Sequence, residues 1–166
     1  WEWVLGVDLW GPIYGVHAFV PRMIASGEPG HVVNTASTAG VVAFPGIASY
    51  DVAKQGVVAL SEVLLADAMA EKLPIRVSVL CPGVVRTKIG VSERNRPGGV
   101  KGDAFGEEGL ITATEAIEPE AVAQAVLGAI NDGTFWIMTH PRYVDLVKTR
   151  AEGMLTGAMP PIPHPI

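Results

Sequence analysis

Tyr50 and Lys54 stand four residues apart at the start of an amphipathic stretch, and Ser37 precedes Tyr50 by thirteen residues. On a helix, a four-residue spacing puts two side chains on one face. A free phenol titrates at about 10, too high for efficient base action near neutrality. A cation within about 4–6 Å favours the phenolate and lowers that value. A nearby hydroxyl can hydrogen-bond an oxygen on which charge develops. These residue types therefore suit proton transfer to or from an oxygen atom. Taken alone, Tyr50 and Lys54 equally suit a solvated helix face, and Ser37 equally suits a hydroxyl bonded to nearby backbone. Asn34 and Ser49 are read in that second, structural way.

The elements that must hold these residues follow from periodicity. Residues 2–25 carry Val4, Val7, Ile13, Val16, Phe19, Val20, Met23 and Ile24 on a broad apolar face and read as helix, with bends expected at Pro12 and Pro21. Residues 31–37, HVVNTAS, form a short β-branched run and read as a buried strand. The Gly- and Pro-marked stretch 38–48 reads as a loop, and 49–72 as a long helix ended by Pro74. IRVSVLC at 75–81 is a second strand, closed by Pro82 and Gly83. Residues 84–115, with little periodicity, read as a long surface excursion. A helix over 118–132, a short strand at 135–138, a helix over 141–155 and an extended Pro-rich tail at 156–166 complete the chain. Strands separated by helical crossovers predict a parallel α/β sheet with helices on both faces.

The 166 residues suggest one domain with a real core. A net charge of −5 argues against a general basic surface for nucleic acid or an anionic membrane. Cys81 is the single cysteine, so no internal disulfide framework exists, which fits a reducing cytoplasm. No apolar run reaches the length of a membrane span. Cys81 ends an apolar strand and reads as a small buried hydrophobe. His17, His31, His140 and His164 share no metal-ligand spacing and read as structural or exposed, so no metal site is expected. The charges of 84–115 have mixed sign and read as a solvated loop.

Together, Ser37 after V-V-N-T-A, the Tyr50-x-x-x-Lys54 pair and Pro82-Gly83-Val84-Val85-Arg86-Thr87 after a strand resemble the short-chain dehydrogenase/reductase family, in order and in spacing. V-D-L-W-G at 7–11 looks like the family's V-N-L-x-G. The resemblance covers roughly residues 1–140 and implies a Rossmann-like, doubly wound parallel sheet, truncated to about its last three strands. It implies an NAD(P)-dependent oxidoreductase that interconverts an alcohol and a ketone, with NAD or NADP as cofactor. Tyr50 would be the general acid/base, Ser37 would bond the same substrate oxygen, and Lys54 would also hold the nicotinamide ribose. Pro82, Gly83, Val85 and Thr87 would meet the carboxamide and phosphate end of the cofactor, and 84–115 would shape the substrate site. Asp8 stands where the family usually has an asparagine that holds a water in a relay to the lysine. An aspartate can accept from that water but cannot donate while ionised.

The family's glycine-rich T-G-x-x-x-G-x-G loop and its N-N-A-G stretch have no counterpart in the sequence. The resemblance places both ahead of residue 1, so the chain is expected to be the catalytic part of a longer domain. The competing expectation is a non-catalytic fragment or an association module built on the same fold. Helices 2–25 and 49–72 resemble those through which the family forms homodimers and homotetramers.

Overall fold

The computed structural model describes residues 1–98 and 115–163. The chain begins with α1 (Glu2–Asp8) and α2 (Trp10–Ser26). The strand β1 (Gly30–Thr35) follows, and then a 3-10 turn over Thr38–Gly40. Helix α3 (Ala48–Ala70) leads to β2 (Ile75–Cys81), and a broken 3-10 segment spans Lys88–Asn95. Helix α4 (Pro119–Asp132), β3 (Trp136–Met138) and α5 (Arg142–Thr156) close the order.

The predicted helix over 2–25 is two helices, and the break does not fall where the bends were expected. It lies at Leu9, whose φ of −117° and ψ of −56° depart from helical values. Pro12 causes it from three residues downstream. Its ring has no N–H to give the Asp8 carbonyl and crowds that carbonyl, so the first helix stops at Asp8. Pro21 lies inside α2 without ending it. Both Pro21 and His17, whose carbonyl loses its donor, lie on the exposed face, where water serves instead.

The sheet has the order β1-β2-β3 and is parallel throughout. Gly30 pairs with Ile75 and Thr35 with Leu80, while Val79 pairs with Trp136 and Cys81 with Met138. The side chains of the central strand β2 alternate between faces. Val77 packs with Val20, Leu64 and Ala68 of α2 and α3, and Val79 and Cys81 with Val57 and Val58 of α3. Leu80 packs instead with Ala129 of α4 and Ile137 of β3. This is the expected three-layer α/β arrangement, and burial on both faces explains the apolar character of β2. The long excursion is closed at its base by a parallel bridge between Val85 and Ile117. Half of the substrate loop expected over 84–115 lies outside the described residues, as does the end of the 156–166 tail. No helix among the described residues is long and apolar enough to cross a membrane.

Two close contacts fix the helices that carry the candidate residues. The Leu9 side chain lies against Gly56, where a Cβ would come within 2.7 Å of it, so the break between α1 and α2 docks on α3 two residues after Lys54. Gly40 of the 3-10 turn lies against α3 itself: a Cβ there would stand 2.8 Å from the Lys54 carbonyl oxygen and 2.8 Å from a Val58 methyl. The backbone carbonyl cannot swing away as a side chain would. We expect Gly40→Ala to destabilise the fold by about 1–3 kcal/mol, the range of overpacked cores. Denaturant unfolding checks this, and an unchanged midpoint would contradict the contact.

Candidate active site

The three strands all end at one edge of the sheet, where the candidate residues gather. Ser37 follows β1 in extended backbone and caps the 3-10 turn, its Oγ accepting from the Ala39 amide at 3.2 Å. The next amide, Thr38 N–H, donates to the Pro82 carbonyl at 2.9 Å, which sets the start of the 82–87 segment beside Ser37. The loop 41–47 then returns to the first turn of α3. There the Phe44 amide donates to Asp51 Oδ2 at 2.9 Å, and Arg150 of α5 donates to the Val41 carbonyl at 2.7 Å. Tyr50 and Lys54 lie in that part of α3, one turn apart.

Lys54 is almost wholly buried, with its side chain 9% exposed. Its Nζ meets Asp8 Oδ1 at 3.1 Å, donates to the Thr35 carbonyl at 3.3 Å and stands 5.5 Å from the centre of the Tyr50 ring. The break at Leu9 is what brings Asp8 to this place. Ser37, Tyr50, Lys54 and Asp8, spread over 47 positions of sequence, thus form one cluster.

The electrostatics differ from the expectation that Lys54 would lower the Tyr50 phenol. Burial pushes the phenol up, a hydrogen bond with Ser37 opposes this, and the charges of Asp8 and Asp51 add to the rise. The reason is geometric. The Lys54 charge is spent largely on Asp8, the nearer group, and the phenol faces two carboxylates besides. Asp51 is itself pushed up by burial, partly offset by its bond from Phe44, and its Oδ1 has no hydrogen-bond partner among the described residues.

The 82–87 segment leaves the same sheet edge. Gly83 N–H donates to His140 Nδ1 at 3.1 Å. At the bridge, Arg86 N–H donates to the Ile117 carbonyl and Ile117 N–H to the Val84 carbonyl. In such a parallel bridge the amide and carbonyl of Val85 point to the opposite side. Thr87 is exposed and caps the Lys88–Asn95 segment, its Oγ1 accepting from the Ile89 amide at 3.3 Å. Pro82 is therefore beside Ser37, while Thr87 opens the excursion. Cys81, directly behind Ser37, is fully buried, and its thiol is pushed up to about 11 by burial, so it is no nucleophile. Asn34 bonds the Ser61 hydroxyl of α3 at 3.0 Å, a structural link, although to a distant side chain and not to nearby backbone. His31 bonds Ser78 at 2.7 Å and His17 is exposed, while His164 lies outside the described residues.

Asp51, Arg150 and His140 hold parts of this site; sequence reading passed over the first two and gave His140 only as structural or exposed. Only His140 carried a signal: it follows the carboxyl end of β3, the end where α/β sheets gather their ligand sites.

Comparison with known proteins identifies the fold's relatives. The family model described as short chain dehydrogenase matches residues 1–98. The CLA biosynthesis dehydrogenase/reductase of Lactiplantibacillus plantarum is 30% identical over 176 aligned residues, covering 98% of this chain and 60% of that protein. The 1-deoxy-11-beta-hydroxypentalenate dehydrogenase of Streptomyces avermitilis is 37% identical over 140 residues, 82% of this chain and 46% of that protein. A crystal structure of a short chain dehydrogenase/reductase from Burkholderia phymatum in complex with NAD superposes with a TM-score of 0.90 at 30% identity, covering 100% of this chain and 62% of that one. The chain spans about half to three-fifths of the length of these relatives. With its three parallel strands, its helices on both faces and its matching sequence, this chain belongs to the short-chain dehydrogenase/reductase family.

Proposed function

We propose that the protein containing this chain is a nicotinamide-dependent oxidoreductase that interconverts a secondary alcohol and a ketone, with Tyr50 as general acid/base. The observation that carries this reading is the convergence of Ser37, Tyr50 and Lys54 at the carboxyl edge of the sheet. The dehydrogenase names of the relatives and the NAD held by the Burkholderia phymatum neighbour support it.

The residues present suit the nicotinamide end of such a cofactor. A carboxamide has one acceptor oxygen and donor N–H groups, and the outward amide and carbonyl of Val85 offer the complementary pair. The Thr87 hydroxyl, although accepting from Ile89, keeps its proton for an acceptor oxygen. The Lys54 ammonium, with partners at Asp8 and Thr35, retains a third N–H for a ribose hydroxyl. When bound, a nicotinamide supplies or accepts the hydride. In ketone reduction Tyr50 gives its phenolic proton to the oxygen as the carbonyl carbon gains hydride. In alcohol oxidation the phenolate takes that proton as the carbon loses hydride. Ser37 bonds the same oxygen and steadies the charge on it. Pro82 and Gly83 fix where the turn departs.

Tyr50→Phe keeps the ring and removes the proton. In the whole protein we expect turnover to fall by at least about 100-fold, the contribution of a positioned acid/base. Steady-state kinetics checks this, and retained turnover would refute the assignment.

The raised phenol has a consequence for pH. Asp8→Asn removes one carboxylate near Tyr50 and releases the Lys54 charge toward the ring, and both changes favour the phenolate. The ascending limb of alcohol oxidation should therefore move to lower pH. A limb that stays in place, or moves up, would show that Asp8 does not act on Tyr50 by charge.

The helices α2 and α3 also turn large apolar side chains outward, among them Tyr14, Phe19, Val52 and Val63. We assign these faces to contacts between copies, giving a homodimer or homotetramer. Sedimentation at micromolar concentration should show a species of two or four chains; a monomer would oppose it.

A further inference from the structure

We propose that His140 is a positioning residue for the Pro82–Gly83 turn and, through it, for the nicotinamide end of the cofactor. This rests on the reading above, that the 82–87 segment meets the cofactor.

His140 is 5% exposed, and all its polar capacity is used. Its Nδ1 lies 3.1 Å from the Gly83 amide nitrogen and 2.8 Å from Thr139 Oγ1, and its Nε2 lies 3.2 Å from the Glu115 carbonyl oxygen. A backbone amide can only donate and a backbone carbonyl can only accept. Nδ1 must therefore be the bare nitrogen, shared by the Gly83 N–H and the Thr139 hydroxyl. Nε2 carries the proton and donates it to Glu115. Two main-chain groups thus fix the ring as one neutral tautomer.

The ring also sets how closely the turn approaches. A Cβ on Gly83 would stand 2.8 Å from His140 Cγ, 2.8 Å from Nδ1 and 2.8 Å from Tyr143 Cε2. Gly83 is needed for this contact, since its backbone φ is not in the left-handed region. Tyr143, 1% exposed, backs the imidazole edge-on at 6.0 Å between ring centres. Arg142 lies 4.9 Å over the Tyr143 ring and pairs with the Glu115 carboxylate. One imidazole therefore joins the turn after β2, residue 115 before α4, and the junction of β3 with α5. Gly83 is two residues from Val85, whose outward amide and carbonyl are the proposed cofactor contacts. The hydrogen bond to His140 fixes the Pro82–Gly83 peptide unit, from which the chain runs on to Val85.

The test compares His140→Leu with His140→Asn in the whole protein. Asparagine can return an acceptor oxygen near the place of Nδ1, and leucine cannot. We expect His140→Leu to raise the cofactor KM about tenfold, the loss of one such bond, with a much smaller change in kcat, and His140→Asn to restore most of the affinity. The second readout needs no turnover. In nitrogen NMR of the unsubstituted protein, His140 Nδ1 should be the unprotonated nitrogen, and the Gly83 amide should shift on addition of NAD or NADP. A protonated Nδ1, or a Gly83 amide indifferent to both cofactors, would overturn the proposal even if the variants fail to fold. So would equal losses of KM and kcat in both variants. An unchanged cofactor KM in His140→Leu, alongside an inactive Tyr50→Phe, would remove the positioning role alone. Turnover retained by Tyr50→Phe would remove the acid/base reading instead.

Discussion

A lysine ammonium taken almost wholly out of water must find partners or lose its charge. Lys54 finds two, the Asp8 carboxylate and the Thr35 carbonyl, and each comes from a different element. Much of the local architecture follows from that demand. The carbonyl is free because Leu80, opposite Thr35 in the parallel ladder, takes the Ala36 amide, which leaves Thr35 facing the sheet edge away from β2. The carboxylate arrives because α1 stops there, and α1 stops because of Pro12. Leu9, the residue at the break, is seated on Gly56 of the same helix as Lys54. The ion pair and the apolar contact are thus two parts of one joint between α1 and α3. Since the lysine is nearly desolvated and the aspartate only partly, the pair's net worth to stability is small relative to the cost of leaving Lys54 without its partner. Its importance lies in where it leaves the charge.

That charge is the central departure from a simple acid/base cluster. A free cation near Tyr50 would draw the phenol down, but a cation already matched with a carboxylate has little field left to give. Burial, with the charges of Asp8 and Asp51 added to it, makes the phenol hold its proton more firmly than a solvent-exposed tyrosine.

Periodicity made β1, β2, α3 and α4 legible, because each element buries one regular face or stripe. The cluster was legible in its residue types, since Ser37, Tyr50 and Lys54 lie on two consecutive elements with a short loop between them. What stayed hidden was long-range. A proline acts on the carbonyl four residues before it, so the bend assigned to Pro12 falls at Leu9. The direction of the Tyr50 shift depends on burial and on Asp8, neither of which local spacing reports. His140 lies 57 positions from Gly83, and only folding the third strand beside the second brings them together. Arg150 is farther still, 109 positions from Val41, and a lone arginine on a polar helix face carries no local sign of such a bond.

The parallel sheet separates the molecule into two ends with different obligations. Ser37, Pro82 and His140 all follow strands and crowd one rim. The connections into the strands, around Gly27, Lys72 and Gly133, lie at the other rim, and each carries a residue with positive φ. Those turns answer only to backbone geometry, and their side chains take no part in the cluster. Selection on such a molecule is therefore polarised along the strand axis: one rim is free to drift under the constraint of folding alone, while the other must satisfy folding and chemistry with the same few residues.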